Sequence, residues 1–244
     1  MSPGLPVRPG SQTAVRGVAV ASMPREVAAF PIGWDDPLAL LPRTAVREYS
    51  KNQVIYDAQN RSEHLYLVID GRVKVSRQGW DGKEVVLEFY QKDEFFGESG
   101  LLGTRQTGEQ AVAVDGTSVM LWSVAELKQI LLRTPALAPA LLRVLAQKVS
   151  DARDRIESFC LDPLPRRLAR ALVGLAERLG EPDGENGTRL RPITHEQLAR
   201  YLGTSREIVT QSMNRFRREG LLKYSRRGLE VDVAALKNYL SPGT

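Results

Sequence analysis

The chain has 244 residues and a net charge of +5, with 42% hydrophobic and 26% charged residues, a composition typical of a two-domain globular protein. Its single cysteine excludes a disulfide framework, a structural zinc set and a cysteine-ligated iron–sulfur cluster. No apolar run approaches the roughly 18 residues of a membrane span and no signal peptide is evident, so we expect a cytoplasmic protein without a membrane partner.

The excess positive charge lies in the C-terminal third of the chain. Residues 162–244 contain 15 Lys+Arg against 10 Asp+Glu, whereas the preceding residues hold 19 of each. Within residues 194–227 the imbalance rises to 8 bases against 3 acids. Bases concentrated in one segment indicate a surface that binds the phosphates of nucleic acid; a merely solvated basic face is the alternative.

The N-terminal half is predicted to be a tail followed by a β domain. Residues 1–33 are rich in Pro, Gly, Ser and Ala without a sustained period, which predicts a mobile tail. Residues 34–134 contain short β-branched and aromatic runs, punctuated by turns at Gly71 and Gly82. The runs are VIYDAQN, LYLVIDG, VKVSRQGWDG, EVVLEFYQKDEFFGE and SVMLWSV. Such spacing predicts an antiparallel barrel or jelly roll.

Four side chains that could bind a ligand are better explained by structural roles. We expect Trp80 and Trp122 to pack in the core or rim of the barrel. His64 lies beside a predicted strand and is expected on the surface, which disfavours haem ligation. Cys160 is expected to be a reduced, unreactive thiol.

A long helix is predicted at residues 135–161. Pro135 and Pro139 interrupt its start, after which apolar side chains recur at spacings of 3 and 4, as in a heptad a/d seam. The seam consists of Leu142, Leu145, Val149, Ala152, Ile156 and Phe159. A seam of this regularity favours a two-fold dimer, and packing on the chain's own barrel is the alternative.

Residues 162–244 predict a winged helix-turn-helix. Asp162 and Pro163 break the long helix and can cap the next one, PRRLARALVGLAERLG, after which EPDGENG is expected to be a surface loop. An Arg-Arg-Gly turn then joins the two strands of a wing, at residues 221–225 and 229–231, and a short helix follows.

The helix-turn-helix itself begins at Thr194. Thr194 and Gln197 have the spacing of a capping box, and Gly203 ends the first helix at a sharp turn. Thr204 or Ser205 can cap a second helix. Its predicted inward side is Ile208, Val209, Met213 and Phe216, and its outward side is Arg206, Glu207, Thr210, Gln211, Asn214 and Arg217. Arg, Glu and Gln near a helix N-terminus are side chains that reach base edges in the DNA major groove.

The predicted elements follow one another as a barrel, a long helix, a hinge at Asp162 and a winged head. This order resembles the cyclic-AMP receptor protein/fumarate–nitrate regulator (CRP/FNR) family of bacterial transcription factors over about residues 34–235. DGKEVVLEFYQKDEFFGESGLL is similar to the family's phosphate-binding cassette, and TSREIVTQSMNRFRREGLL to its recognition helix. The resemblance implies an α+β fold with a cyclic-nucleotide-binding-like β-roll, a long dimerisation helix and a C-terminal winged helix-turn-helix. It implies a homodimer that binds double-stranded DNA, with RNA polymerase as a further partner.

The resemblance also places an effector pocket in the β-roll. Cyclic-nucleotide-binding members begin the cassette with a Gly-Glu pair whose Glu holds the ribose 2′-hydroxyl, and Gly97 and Glu98 match that pair. Their following Arg-Ser/Thr-Ala triplet, whose Arg binds the phosphate, is replaced by a triplet starting at Glu109, a carboxylate that would repel phosphate. Arg105 is the alternative partner if the loop is rearranged. The candidate pocket residues are Gly97, Glu98, Ser99, Gly100, Leu101, Gln110, Ala111, Ala152 and Arg153, the last two in place of the adenine-contacting Thr-Ser.

By the same resemblance, the second helix of the head reads bases. Arg206 is expected to donate to guanine and Glu207 to accept from cytosine N4, with Thr210 beside them. Gln211 stands where well-known members have Arg, and because Gln pairs with adenine N6 and N7, one base of the half-site is expected to differ. Phosphate contacts are predicted for Thr194, His195, Arg200, Arg217, Lys223, Ser225 and Arg226.

Three functions are compatible with these features. The first is a homodimeric, sequence-specific transcription regulator whose barrel binds a small effector of unknown identity, with cyclic AMP disfavoured. The second is a regulator with a degenerate barrel that binds DNA without a ligand. The third is a cyclic-nucleotide-binding module of a kinase or channel, against which the winged head argues. An enzyme is not expected, because the sequence has no P-loop, metal-ligand cluster or nucleophile elbow, and we expect no metal, haem or iron–sulfur cofactor.

Overall fold

The structure is a computed structural model that describes residues 36–60, 62–102, 109–183, 187–225 and 228–241. All of these belong to one unit, Trp34–Thr244. The predicted tail, Arg105 and Arg226 lie outside the described residues, so the expectations for them stay predictions.

After a short helix, α1 (Pro37–Leu40), the chain forms an antiparallel β-roll. Its strands are β1 (Val46–Tyr49), β2 (Val54–Tyr56), β3 (His64–Asp70), β4 (Arg72–Gln78), β5 (Glu84–Gln91), β6 (Phe95–Phe96), β7 (Glu109–Ala113) and β8 (Thr117–Ser123). They form two four-stranded sheets, β1-β8-β3-β6 and β2-β7-β4-β5. Buried side chains of both sheets, among them Val68, Phe96 and Val73, pack in one cluster. The predicted jelly roll is confirmed.

The β-roll contains two glycines and two tryptophans for which the sequence predicts a turn or a packed position. Gly71 and Gly82 have φ values of +83° and +77°, and a Cβ on Gly71 would lie 2.3 Å from a carbonyl oxygen, so the predicted turns are confirmed. Trp122 is buried and its Nε1 donates to the Pro42 carbonyl at 2.9 Å. Trp80, in contrast, is fully exposed. The expectation that Trp80 packs in the core or rim was wrong, because the tip of the β4–β5 hairpin extends into solvent.

Two helices follow the β-roll, α2 (Val124–Arg133) and the 25-residue α3 (Leu137–Leu161). Pro139 lies in the first turn of α3, where its missing N–H leaves no helical bond unmade. Leu137 is buried in the barrel's outer cluster, whereas Leu142, Val149 and Ile156 are 60%, 50% and 62% exposed. Packing on the chain's own barrel therefore accounts for the start of α3, while Leu145 and Phe159 of the seam are half-buried and the three residues above stay uncovered.

The described residues of the C-terminal head form four helices and four strands. They are α4 (Leu164–Leu179), β9 (Gly180–Asp183), β10 (Gly187–Leu190), α5 (His195–Leu202), α6 (Arg206–Arg218), β11 (Leu222–Ser225), β12 (Gly228–Asp232) and α7 (Val233–Leu240). The wing strands β11 and β12 belong to a four-stranded sheet of order β11-β12-β10-β9. EPDGENG is thus not only a surface loop, since its ends pair in β9 and β10. An edge strand pairs through its backbone on one side, so this polar, proline-containing segment carries no apolar alternation.

Asp162 ends α3 without capping α4. The N-cap of α4 is Pro163, with no side-chain cap bond, which corrects the expected capping role of Asp162. The Asp162 carboxylate instead accepts from Ser158 Oγ at 2.8 Å and from Arg170 Nε at 3.0 Å. The hinge is therefore held by side chains of the two helices that it joins.

Strand β5 joins the β-roll to the head. Val86 and Phe89 are buried in the same cluster as the core of the head. Around them, Arg178 of α4 lies 3.2 Å from a Glu88 oxygen and 3.1 Å from a Glu94 oxygen. An apolar contact with a charged rim therefore fixes the head on this strand.

Candidate nucleic-acid interface and effector pocket

The helix-turn-helix is built from the local caps that the sequence predicts. Thr194 Oγ1 accepts from the Gln197 amide at 3.1 Å, and Gln197 Oε1 accepts from the Thr194 amide at 2.9 Å, so both halves of the capping box are present. Gly203 ends α5 in the left-handed region, with φ 62° and ψ 44°. Ser205, rather than Thr204, caps α6 by accepting from the Ile208 amide.

The first turns of α6 present the predicted base-reading side chains. Arg206, Glu207 and Gln211 are exposed, and Thr210 is half-buried. Hydrogen bonds from its own backbone amide and from Ser205 lower the pKa of Glu207. The carboxylate is therefore an ionised acceptor at neutral pH, the state that a cytosine amino group requires.

Ile208 departs from its predicted inward position. Val209, Met213 and Phe216 are buried as expected, but Ile208 is 45% exposed next to Glu207. Adjacent helix residues differ by about 100° around the axis, so the residue before Val209 lies at the margin of the buried face. Sequence reasoning missed it as a site residue because its apolar type resembles core. An exposed isoleucine here is suited to contact a thymine methyl group.

His195 joins three elements of the head. Its Nδ1 lies 2.8 Å from Thr210 Oγ1 of α6, and its Nε2 lies 2.6 Å from the Tyr224 hydroxyl of β11. The Thr210 hydroxyl donates its only hydrogen to the Arg206 carbonyl at 2.8 Å, so it accepts from Nδ1–H. Nε2 of the neutral ring then accepts from Tyr224. Both nitrogens are engaged, which argues against the expected phosphate contact and assigns His195 to positioning the wing and α6.

We expect acidification to lower the melting temperature of the wild type more than that of His195→Gln. Burial, followed by the Arg206 charge, lowers the pKa of His195 from 6.5. Such a group contributes its full stability above its unfolded-state pKa, and this contribution is lost as the pH falls through the folded-state value. Thermal unfolding at about pH 7.5 and about pH 5.5 measures the difference.

The other histidine provides the matched control for this experiment. Burial also lowers the pKa of His64, at the start of β3 in the β-roll, so His64→Gln should reduce acid sensitivity independently. Only His195→Gln should weaken DNA binding at neutral pH, because of these two histidines only His195 contacts α6 and the wing. Equal operator affinity of the two variants would contradict the positioning role.

The remaining candidates for DNA phosphate contacts fall into two groups: side chains that are exposed and side chains that are bonded within the chain. Arg217 and Lys223 are exposed near the wing, as a contact with the DNA phosphate backbone requires. Ser225 Oγ donates to the Gly228 carbonyl at 3.2 Å. Arg200 is directed elsewhere, because it lies 2.9 Å from Glu196 and forms a close ion pair with Glu84 of β5. This pairing argues against the phosphate contact predicted for Arg200 and helps to fix α5 on the β-roll.

The cassette begins where the sequence places it, in a tight turn after β6. Gly97 has φ +79°, and a Cβ on it would lie 2.7 Å from the Tyr66 ring. A Cβ on Gly100 would lie 2.7 Å from the Ser62 carbonyl oxygen. A 3₁₀ turn, Glu98–Leu102, follows, and Leu101 packs against the outer cluster. Both glycines are thus required by close approach of the chain.

Glu109, in the place of the family's phosphate-binding Arg, is buried and bonded within the chain. It accepts from the Tyr56 hydroxyl at 3.0 Å and from Ser99 Oγ at 2.9 Å, and Arg77 Nη2 lies 3.5 Å away. Burial, followed by the charge of Glu109, raises the pKa of Tyr56. Gln110 is half-buried, whereas Ala111 lies wholly within the barrel core. A ligand phosphate at this position would meet a fixed negative charge.

Lys148 of α3 contacts the cassette directly, whereas Ala152 and Arg153, predicted for the effector pocket, do not. Both predicted residues are exposed in this chain. Lys148 Nζ lies 3.0 Å from Glu98 Oε2 and 2.6 Å from the Phe95 carbonyl oxygen. The pocket role of Ala152 and Arg153 therefore stays a prediction. The sequence alone does not single out Lys148, because its partners lie about fifty residues earlier in the chain.

The described part of the chain offers neither a membrane span nor a cluster of metal-binding side chains. None of its helices is both long and apolar enough to cross a membrane. Within the same residues, no three His, Cys, Asp or Glu side chains come together in a group that could hold a metal ion.

Comparison with known proteins matches both parts of this architecture. Residues 46–134 match the family described as cyclic nucleotide-binding domain, and residues 166–239 match the Crp-like helix-turn-helix domain. The two matched segments contain the cassette and the helix-turn-helix, respectively.

Individual relatives resemble most of the chain. The Cyclic AMP receptor protein of Thermus thermophilus is 28% identical over 197 residues, covering 81% of this chain and 88% of the relative. The CRP-like cAMP-activated global transcriptional regulator of Mycobacterium tuberculosis is 26% identical over 184 residues, covering 72% and 79%. A crystal structure of a CRP-family transcriptional regulator from Thermus thermophilus matches with a TM-score of 0.66 at 25% identity, covering 80% of this chain and 96% of that chain.

Proposed function

Because the chain belongs to the CRP/FNR family of DNA-binding transcription regulators, we propose that it works as a homodimer whose two α6 helices read the half-sites of an operator. The observation that carries this proposal is the recognition face of α6. A capped helix presents Arg206, Glu207 and Gln211 to solvent beside a basic wing. These residues supply the donors and acceptors that the major groove requires.

The exposed seam of α3 supports the dimer. Leu142, Val149 and Ile156 are half or more exposed at heptad spacing, which is costly unless a second helix covers them. Ala152 lies between them and lets two helices approach closely. Phe159 belongs to the seam less clearly, because its ring lies 5.1 Å from the Arg167 guanidinium carbon of its own chain.

The chemistry of the recognition face defines a half-site. Arg206 would donate to guanine, Glu207 would accept from cytosine N4, and Gln211 would pair with adenine. Ile208 adds an apolar contact suited to thymine. Thr210 has its hydroxyl bonded to Arg206 and His195, so it supports the helix more than it offers a free donor. Thr194, Arg217, Lys223, Ser225 and Arg226 remain the phosphate candidates.

We expect Gln211→Arg to change one selected base from adenine to guanine. A bidentate pair discriminates by about 1–3 kcal/mol, so the preference should change by about tenfold or more. Selection of binding sites from randomised DNA duplexes, carried out with the wild type and with Gln211→Arg, measures this change in base preference. Asn214→Arg, one turn later on the same exposed face, is the matched control and should strengthen binding without changing that base. If the wild type already selects guanine there, Gln211 does not read that base.

The β-roll does not suit cyclic AMP, the ligand for which two of the relatives are named. Glu109 stands where phosphate would bind, and its carboxylate is already satisfied within the chain. We therefore propose that cyclic AMP is not the ligand and that the β-roll has no metal, haem or iron–sulfur group. We also propose RNA polymerase as a partner and the cytoplasm as the location, since a bacterial regulator acts where DNA and polymerase meet. No catalytic activity is proposed.

A further inference from the structure

The ammonium of Lys148 is held at the cassette by several groups at once. It lies 3.0 Å from Glu98 Oε2, 2.6 Å from the Phe95 carbonyl oxygen and 3.3 Å from the Tyr90 hydroxyl. It also lies 4.5 Å from the centroid of the Tyr90 ring. The Phe95 carbonyl and the Tyr90 hydroxyl accept hydrogen bonds from the ammonium, and Glu98 is its ion-pair partner. The side chain is 25% exposed, so this is a mostly enclosed contact rather than a surface ion pair.

Glu98 depends on this lysine. Its Oε2 is buried and has no well-aligned hydrogen-bond donor among the described residues, so the ion pair with Lys148 is what compensates its charge. In the CRP/FNR resemblance, this glutamate holds the ribose of the nucleotide. A ligand taking that place here would displace Lys148 and break its ion pair with Glu98, whose side chain is 30% exposed but whose Oε2 is buried, and this loss opposes ligand binding.

The second carboxylate of the pocket is also satisfied from within. Glu109 accepts from Tyr56 and Ser99 and lies near Arg77. The acids that line the expected effector position are thus both engaged by groups of the same chain.

Lys148 connects the cassette to α3 and thereby fixes the rotation of α3 about its own axis. Arg155 lies seven residues, or about two turns, further along α3 and so on the same side of the helix. It donates to the Val86 carbonyl of β5 at 2.7 Å and to the Tyr201 carbonyl of α5 at 2.5 Å. In the sequence, Val149 directly follows Lys148, and Ile156 directly follows Arg155. The two contacts therefore determine which side of α3 turns toward a partner helix and where the head sits.

We propose that Lys148 is a built-in substitute for an effector, fixing α3 against the cassette so that the protein binds its operator without a nucleotide. This inference rests on the proposed function as a dimeric DNA-binding regulator. Lys148 is a positioning residue, since it acts on DNA only through the placement of α3 and the head.

The test compares Lys148→Met, Lys148→Arg and Lys128→Met in operator binding, binding to non-specific DNA, and thermal unfolding with and without millimolar cyclic AMP. Lys148→Met should weaken operator binding about tenfold or more, because it leaves Glu98 unpaired. Binding of the intact head to non-specific DNA should not change. Lys148→Arg should retain most of the operator affinity, and Lys128→Met, at an exposed lysine of α2, should retain all of it.

A double-mutant cycle isolates the ion pair. Glu98→Gln should weaken operator binding as Lys148→Met does, and the combined variant should be no worse than either alone. Cyclic AMP should raise neither the melting temperature nor the operator affinity of the wild type, since a ligand of the native state stabilises it.

Three results would overturn the inference while leaving the proposed function intact, and the first two are direct. These two are wild-type operator affinity in Lys148→Met, and a rise in wild-type melting temperature or operator affinity with cyclic AMP. Equal losses of operator and non-specific binding in Lys148→Met would also overturn it, because they indicate a damaged fold. A wild type that selects no operator at all would instead refute the proposed function, and this inference with it.

Discussion

Replacing both Val149 and Ile156 by glutamate is expected to yield monomers and to lower operator affinity by about a hundredfold or more. Both side chains are exposed in the single chain, and both occupy the position of the heptad seam that is designated a. A dimer would bring four carboxylates together in an apolar interface, where unpaired charges are strongly destabilising. A monomer binds one half-site and loses the gain from joining two, which is commonly about 10²–10⁴.

Sedimentation equilibrium and operator titration together check this expectation. Arg143→Glu is the matched control, because Arg143 is exposed on α3 but lies outside the seam. It should remain dimeric with little change in affinity for the operator. A double glutamate variant that stays dimeric would show that another surface joins the two chains.

Glu207→Ala is expected to reduce operator affinity by about tenfold to a hundredfold and to relax the selection of one C·G pair. Loss of a direct base contact costs about 1–3 kcal/mol, and Glu207 is the ionised acceptor nearest the start of α6. Non-specific affinity should not fall, because the change removes a negative charge from a surface that approaches phosphates.

Competition binding with operators mutated at single positions measures the relaxed selection. Glu219→Gln is the control, since Glu219 is paired with Arg215 at the far end of α6. It should leave both affinity and base preference unchanged. If Glu207→Ala lost affinity equally for every operator, Glu207 would not be reading a base.

The parts of the fold that were predictable from the sequence carry local signals. Thr194, Gln197 and Gly203 determine the ends of α5 through bonds to neighbouring residues, and the structure has each of them. Strand β7 was missed because its sequence, EQAVA, has a buried Glu and two alanines rather than a β-branched or aromatic run. Strand β9 was missed because edge pairing uses the backbone and leaves no apolar alternation.

The contacts between distant elements were not predictable in the same way. Lys148 and Arg155 look like ordinary flanking charges of a heptad, and only the packing of α3 on β5 and the cassette reveals their partners. Arg200 has no local feature that distinguishes a phosphate contact from an ion pair with Glu84. His195 was recognised as part of the head, but its bond to Tyr224 depends on how the wing folds back.

Selection of binding sites from fully randomised duplexes by the intact protein, without added nucleotide, tests the central claim most directly. A two-fold dimer that reads DNA through α6 should enrich an inverted repeat whose half-sites are centred about one helical turn apart, roughly 10–10.5 base pairs. Each half-site should contain guanine, cytosine and adenine opposite Arg206, Glu207 and Gln211. Enrichment of a single unpaired half-site, or no enrichment above non-specific binding, would contradict the claim.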